Sequence, residues 1–304
     1  MPGSRSGTDA VRGRAGIARR PGVVKAIVLG AVLLLGPGLS GGGSALAASH
    51  RIASLNLCAD QIIFMLADRS DIVGLSPLAA DCANTVLCEL ARGLPSMRPT
   101  GEAVLARQPD VVFSSPFTAV AATAIARQAG LKTVDLPIAE SLADVPEQIR
   151  IVARAIGRED RAEAIIAPFR ARLAQLQRTM PADRRLTALV YEAHGFVVHK
   201  GSLADEVLTL GGFRNMADEQ SVFRGANGVP LEALIANRAD LLVIDRSAKG
   251  YSLAQAMLEN PVLRQAYPAP HQLDVPARLW LCALPQTLDA VTRLRAAHAR
   301  LEAQ

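Results

Sequence analysis

Apolar positions follow two periods that alternate along the chain. Short, near-continuous runs such as D-V-V-F-S at 110–114 and D-L-L-V-I-D at 240–245 have the length and branched content of buried strands. Longer stretches with apolar residues at helical spacing separate them. In the first half this predicts strands at 51–57, 72–75, 110–114 and 133–136, with helices at 59–67, 102–107 and 119–129. The second half predicts strands at 186–192, 196–199, 240–245 and 272–275. Its helices fall at 203–210, 231–236, 253–258 and 288–301. Strands of this kind alternating with helices imply parallel sheets covered on both faces.

Residues 141–180 stand between the two series and read as almost continuous helix. Asp144 is an N-cap candidate, Pro146 suits a first turn, and Ile149, Val152, Ala153 and Ile156 share one face. Gly157 permits a break, and Arg158-Glu159-Asp160 restarts the helix. Pro168 removes one backbone bond within the second helix and predicts a kink. That second helix alone spans ~30 Å, enough to join two lobes stiffly.

An ungapped internal echo links the halves. Glu102-Ala-Val-Leu-Ala-Arg-Gln-Pro-Asp110-Val-Val-Phe aligns with Glu232-Ala-Leu-Ile-Ala-Asn-Arg-Ala-Asp240-Leu-Leu-Val. Each copy has an acid at the start of a short helix, then a turn, then a buried strand. The fold class expected is therefore α/β: two lobes with parallel-type sheets and a long rigid helix between them. The boundaries are 48–140 for the N-terminal lobe, 141–180 for the helical linker and 181–304 for the C-terminal lobe.

Charge changes the picture only at the start of the chain. Residues 1–47 hold six of the 33 basic residues and one of the 28 acidic ones, which leaves 27 of each beyond them. A balanced remainder gives no footprint for nucleic acid. The early positive region, the apolar run from Ala26 to Leu35 and the triplet Ala45-Leu46-Ala47 have the form of a signal peptide over 1–47. The run is shorter than the ~20 residues of a membrane span. Arg19-Arg20 leaves the choice between general and twin-arginine export open. The expected outcome is an exported protein.

Four cysteines remain: Cys58, Cys82, Cys88 and Cys282. Cys82 and Cys88 share one loop and form a candidate disulfide in an oxidising compartment. Their spacing lacks the second pair that a structural zinc site needs, so no metal site is assigned.

In order and spacing, these pieces resemble the periplasmic binding proteins of ABC importers for iron–siderophore complexes and cobalamin. The resemblance runs from Arg51 to the C-terminus. It rests on R-I-A-S-L-N before a helix, I-V-G-L-S, the Glu102…Pro109-Asp110-Val-Val-Phe segment and Gly130-Leu-Lys-Thr-Val. L-A-D-E-V-L, Gly211-Gly212-Phe-Arg-Asn215 and the second copy of the echo complete it. It implies two Rossmann-like α/β lobes on a long helix with the ligand cleft between them, a periplasmic location, a small-molecule metal chelate as ligand, a permease dimer as partner and no covalent chemistry. A monomer suits a shuttle of this type. Position for position, Glu102 and Glu232 are the acids that would dock on permease arginines; helix-start acids facing the dipole is their alternative role.

Ligands of open α/β sheets bind beyond the carboxyl ends of the strands. Those ends nominate Asn56, Cys58, Ser76, Pro77, Ser115, Phe117, Tyr191, His194, Arg246, Trp280 and Cys282 as ligand-binding residues. Tyr191 and Trp280 are the expected walls, with ordinary core packing as their alternative, and Arg246 is either a partner for an anionic chelate or a solvated loop arginine. Cys58 and Cys282 have three open roles: facing each other across the cleft, touching a metal complex, or filling small apolar spaces. Haem or bare metal on the same fold is the alternative ligand, with His194 and Glu192 as coordinating groups. The contrasting reading is a secreted enzyme with Cys58 as nucleophile and His194 as base.

Overall fold

The computed structural model describes residues 50–181, 186–219, 221–223, 228–247 and 252–304. The expected signal peptide and its cleavage site lie outside these residues. The described residues form one compact unit.

The N-terminal lobe starts with β1 (Ile52–Ser54) and α1 (Leu57–Leu66). The strand is shorter than its apolar run because Asn56 turns the chain into the helix. Its side chain accepts from the amides of Cys58 and Ala59, both at 2.9 Å. β2 (Ile72–Gly74), α2 (Gly101–Ala106), β3 (Val111–Ser114), α3 (Val120–Gln128) and β4 (Lys132–Asp135) complete the lobe. All pairings are parallel, in the order β2-β1-β3-β4.

The helical region does not run as one rod. It forms α4 (Val145–Ile156) and α5 (Glu159–Arg178), separated by Gly157 in the left-handed conformation at φ 64°. Arg150 holds Glu163 through two hydrogen bonds of 2.6 and 3.0 Å. Thirteen residues of unbroken helix would set those side chains ~20 Å apart, so the chain turns back at Gly157. α4 joins the N-terminal lobe and α5 alone crosses to the other. Arg161 at its start donates to the Leu66 carbonyl and pairs with Asp68. Near its far end Arg172 binds Asp289 at 2.8 Å, and Leu176 accepts from Arg295.

The C-terminal lobe comprises β5 (Thr187–Val190), α6 (Leu203–Leu210), β6 (Arg214–Asn215), α7 (Leu231–Ala236) and β7 (Leu241–Ile244). It ends with α8 (Leu253–Leu258), α9 (Pro261–Ala266), β8 (Gln272–Asp274) and α10 (Thr287–Glu302). Its parallel order, β6-β5-β7-β8, repeats that of the first lobe. The expected strand at 196–199 reduces to one bridge between Tyr191 and Val197. The Val198 carbonyl is instead taken by the Asn215 side chain at 2.9 Å, so no ladder extends. The two-residue β6 is too short to appear in the apolar pattern, and α9, with only Val262 and Leu263 as large apolar residues, shows no helical stripe.

Strand alternation sorts the core into three clusters. Ile52, Val111 and Phe113 face α1 and α4, while Ala188, Val190, Leu241 and Val243 face α6 and α10. These two faces merge into one apolar body through Ala162, Ile166 and Phe169 of α5. The opposite sheet faces hold separate clusters around Ala53, Leu55 and Val112, and around Leu189, Tyr191 and Leu242. The lobes are thus joined by packed apolar surface as well as by chain.

Candidate functional site

The carboxyl ends of β1, β3 and β4 converge on a cavity of about 270 Å³ between the lobes. The N-terminal lobe lines it with Asn56, Cys58, Ser115, Phe117, Thr118, the segment 136–139 and Gln148. The C-terminal lobe adds Leu281, Cys282 and Ala283. None of these lining residues is charged.

Its polar atoms are largely spoken for. Asn56 caps α1 and also approaches Thr118 Oγ1 at 3.5 Å. Ser115 and Thr118 share a hydroxyl contact of 2.8 Å, and Gln148 Nε2 donates to the Pro137 carbonyl at 2.6 Å. The apolar lining is open by contrast: Phe117 is 74 % exposed, Ile138 64 % and Leu281 52 %. Large apolar side chains left in water around a concavity mark a surface that another body covers.

Five nominated residues line this cavity: Asn56, Cys58, Ser115, Phe117 and Cys282. The two cysteines form a disulfide across the lobes, with Cα atoms 5.3 Å apart. That bond removes the thiol a Cys58 nucleophile needs, which overturns the cysteine-enzyme reading. Cys82 and Cys88 are also disulfide-bonded, Cα atoms 5.1 Å apart, outside the cavity.

The other nominations fall elsewhere. Tyr191 is fully buried on the far face of its sheet and donates to the Val229 carbonyl at 2.9 Å. Trp280 is buried in the main core behind the cavity. Both are large rings one or two residues past a strand or turn, and burial of ring area drew them inward. Ser76 donates to Asp60, and Pro77 opens a 3-10 helix, so both close off the first lobe. His194 is exposed on a left-handed turn at φ 66°, edge-on to Phe196 at 6.4 Å. Arg246 donates to Gln272 at 2.7 Å, in a separate depression with Glu259 and Arg264. Sequence reading missed Thr118, the 136–139 segment, Gln148, Leu281 and Ala283. The exit of β4 was the available signal for 136–139.

Two acids outside the cavity lining are raised by their surroundings. Asp60, on α1, is pushed up to about 7 by burial, against the opposing pull of hydrogen bonds from Ser76 and Ser54. Burial and the neighbouring Asp245 raise the Glu192 carboxyl. Glu102 and Glu232 are exposed in the first turns of α2 and α7.

Residues 52–270 match the family described as Periplasmic binding protein. The chain belongs to that family. It is a periplasmic binding protein rather than an enzyme, built as two α/β lobes on a helical connection. Among curated relatives, a cobalamin-binding protein of Halobacterium salinarum is 22 % identical over 214 residues. That match spans 70 % of this chain and 58 % of the relative. Among solved structures, the periplasmic heme-binding protein RhuT of Roseiflexus sp. RS-1 superposes with TM-score 0.66 at 24 % identity, over 83 % of this chain and 99 % of that one. The periplasmic vitamin B12 binding protein BtuF of Vibrio cholerae gives 0.64 at 17 % identity, over 84 % and 98 %.

Proposed function

We propose that this periplasmic binding protein captures a planar metal macrocycle, a haem or a corrinoid, and hands it to the permease dimer of an ABC importer. The observation that carries this is the cavity lining, uncharged and edged by Phe117, Ile138 and Leu281. A ring system with a large apolar face gains most from such walls. At about 270 Å³ the cavity takes part of the ring and leaves the rest projecting from the cleft. The naming of relatives as heme- and cobalamin-binding proteins supports the same class.

An anionic siderophore calls for cationic side chains, and a bare ion for three or four convergent ligands. The lining residues carry neither, which places both readings behind the macrocycle. Haem has the support of more named structures. A corrinoid, which brings its own cobalt ligands, suits a lining without imidazole or phenolate.

Titration with hemin and with cyanocobalamin, read by ligand absorbance, tests the reading, with ferrichrome as the siderophore comparison. Tight one-to-one binding of either macrocycle is expected. Binding of ferrichrome alone would overturn it. In this reading Glu102 and Glu232 are the docking acids on the two lobes, and the protein works as a monomer.

A further inference from the structure

The lobes are joined covalently twice. α5 is one link, and the Cys58–Cys282 disulfide, between residues 224 apart in sequence, is the other. Cys58 lies in the first turn of α1, whose amides Asn56 caps. Cys282 lies in the loop before α10 and is only 2 % exposed. Both line the cavity.

A single helical link lets lobes rock about it. A second covalent point removes most of that freedom, leaving rotation about the line through both links. Among the described residues a hydrogen bond also spans the lobes: the Leu142 amide donates to Glu206 Oε2 at 2.6 Å, joining the segment before α4 to α6. It survives only while the lobes keep their present spacing.

We infer that the Cys58–Cys282 disulfide is a clamp that sets the width of the cleft, so that the oxidation state of this pair governs how far the lobes open. The clamp needs no particular ligand. Its effect on ligand exchange rests on the macrocycle reading. Unclamping is a thiol–disulfide exchange with a dithiol reductant. A donor thiolate attacks Cys58 Sγ, on the more exposed of the two residues, and Cys282 leaves as a thiolate that takes up a proton. The donor's second thiolate then releases Cys58 as a thiol, and the donor departs as its own disulfide. A ligand in the cavity covers Cys58, so occupancy slows reduction, and the clamp in turn slows ligand loss.

The test begins without ligand, in a Cys82→Ser, Cys88→Ser background that leaves one disulfide. Hydrogen exchange at the Leu142 amide and the radius of gyration from solution scattering are compared for three forms: oxidised, phosphine-reduced, and Cys58→Ser, Cys282→Ser. We expect Leu142 to exchange at least about tenfold faster, and the radius to rise, in both unclamped forms. Equal exchange and equal radius would overturn the clamp. If the serine pair fails to fold by circular dichroism, the reduced protein supplies the comparison.

Dissociation of hemin or cyanocobalamin is then timed in the same forms and should be at least about fivefold faster without the bond; equal rates would overturn the gating of exchange. If neither probe binds, the macrocycle reading fails while the exchange measurement still decides the clamp. Trp280 is the sole tryptophan and lies two residues from Cys282, so its fluorescence follows the bond directly.

Discussion

Asp110 and Asp240 do the same job 130 positions apart. Asp110 Oδ2 accepts the Arg51 amide at 2.8 Å, just before β1, and Asp240 Oδ2 accepts the Thr187 amide at 2.6 Å, where β5 begins. Each carboxylate ties the entrance of the third-ordered strand to that of its central neighbour. Asp240 also takes the Thr187 hydroxyl at 2.8 Å. This explains why an aspartate precedes the buried strand in both copies of the internal echo.

Replacing Asp240 by alanine strands the Thr187 amide at a half-buried position. The expected loss is about 1–3 kcal/mol. Asp110→Ala should cost less, because that site is exposed and water replaces the carboxylate. Urea denaturation of the two variants checks the order; equal losses would contradict it.

The buried Asp60 makes stability depend on pH in an unusual direction. Its folded pKa of about 7 lies above the ordinary carboxyl value of 3.8, so the native state holds the proton more tightly than the unfolded one. Stability is therefore full below ~4, falls as pH rises toward 7 and levels off above it, a change on the order of 4 kcal/mol. Asp60→Asn should flatten that slope and be the more stable protein at pH 8. Denaturant midpoints from pH 4 to 8 give the answer, and an unchanged slope would show that Asp60 is not its source.

The two disulfides should differ in worth. By chain entropy, a bond closing 224 residues contributes roughly 5 kcal/mol and one closing 6 residues roughly 2. Losing Cys58–Cys282 is thus expected to lower the melting temperature more than losing Cys82–Cys88, by calorimetry on the paired serine variants.

The aromatic and aliphatic edge of the cavity is separable from the fold. Phe117 and Ile138 are mostly exposed, so Phe117→Asp and Ile138→Asp should shift stability by no more than about 0.5 kcal/mol. Affinity for hemin or cyanocobalamin should drop at least tenfold, about 1.4 kcal/mol. Unaltered affinity would move the ligand elsewhere on the protein.

Docking predicts a different separation. Glu102→Arg with Glu232→Arg reverses charge at two exposed points outside the cavity lining, so ligand binding should persist while uptake in cells fails. Normal uptake would refute the docking role; lost ligand binding would place these glutamates in the site.

Much of the architecture was legible because the strands are buried on both faces and the echo repeats one unit twice. The turn at Gly157 was visible only as a permitted break, since its direction is fixed by tertiary pairs such as Arg150 with Glu163. The strand-end rule puts Ser115 and Phe117 in the cavity lining, whereas the exit of β4, where residues 136–139 lie, offers it only apolar side chains and no polar signal. It misled at Tyr191 and Trp280, because position along a strand does not say which face a ring seeks. Nor can spacing reveal that Cys58 and Cys282 meet, as their approach is made by α5 and two folded lobes.

Seven of the thirteen lining residues come from two short segments, 115–118 and 136–139, and only three from the second lobe. Both segments lie beyond the strands, and of their lining residues only Leu136 and Ala139 join the main core. Substitutions at the other five can accumulate without disturbing either sheet or the connecting helix. Ligand preference in this chain is accordingly a portable trait: exchanging two loops with a relative should carry selectivity across while the scaffold, and whatever recognises its outer face, stays the same.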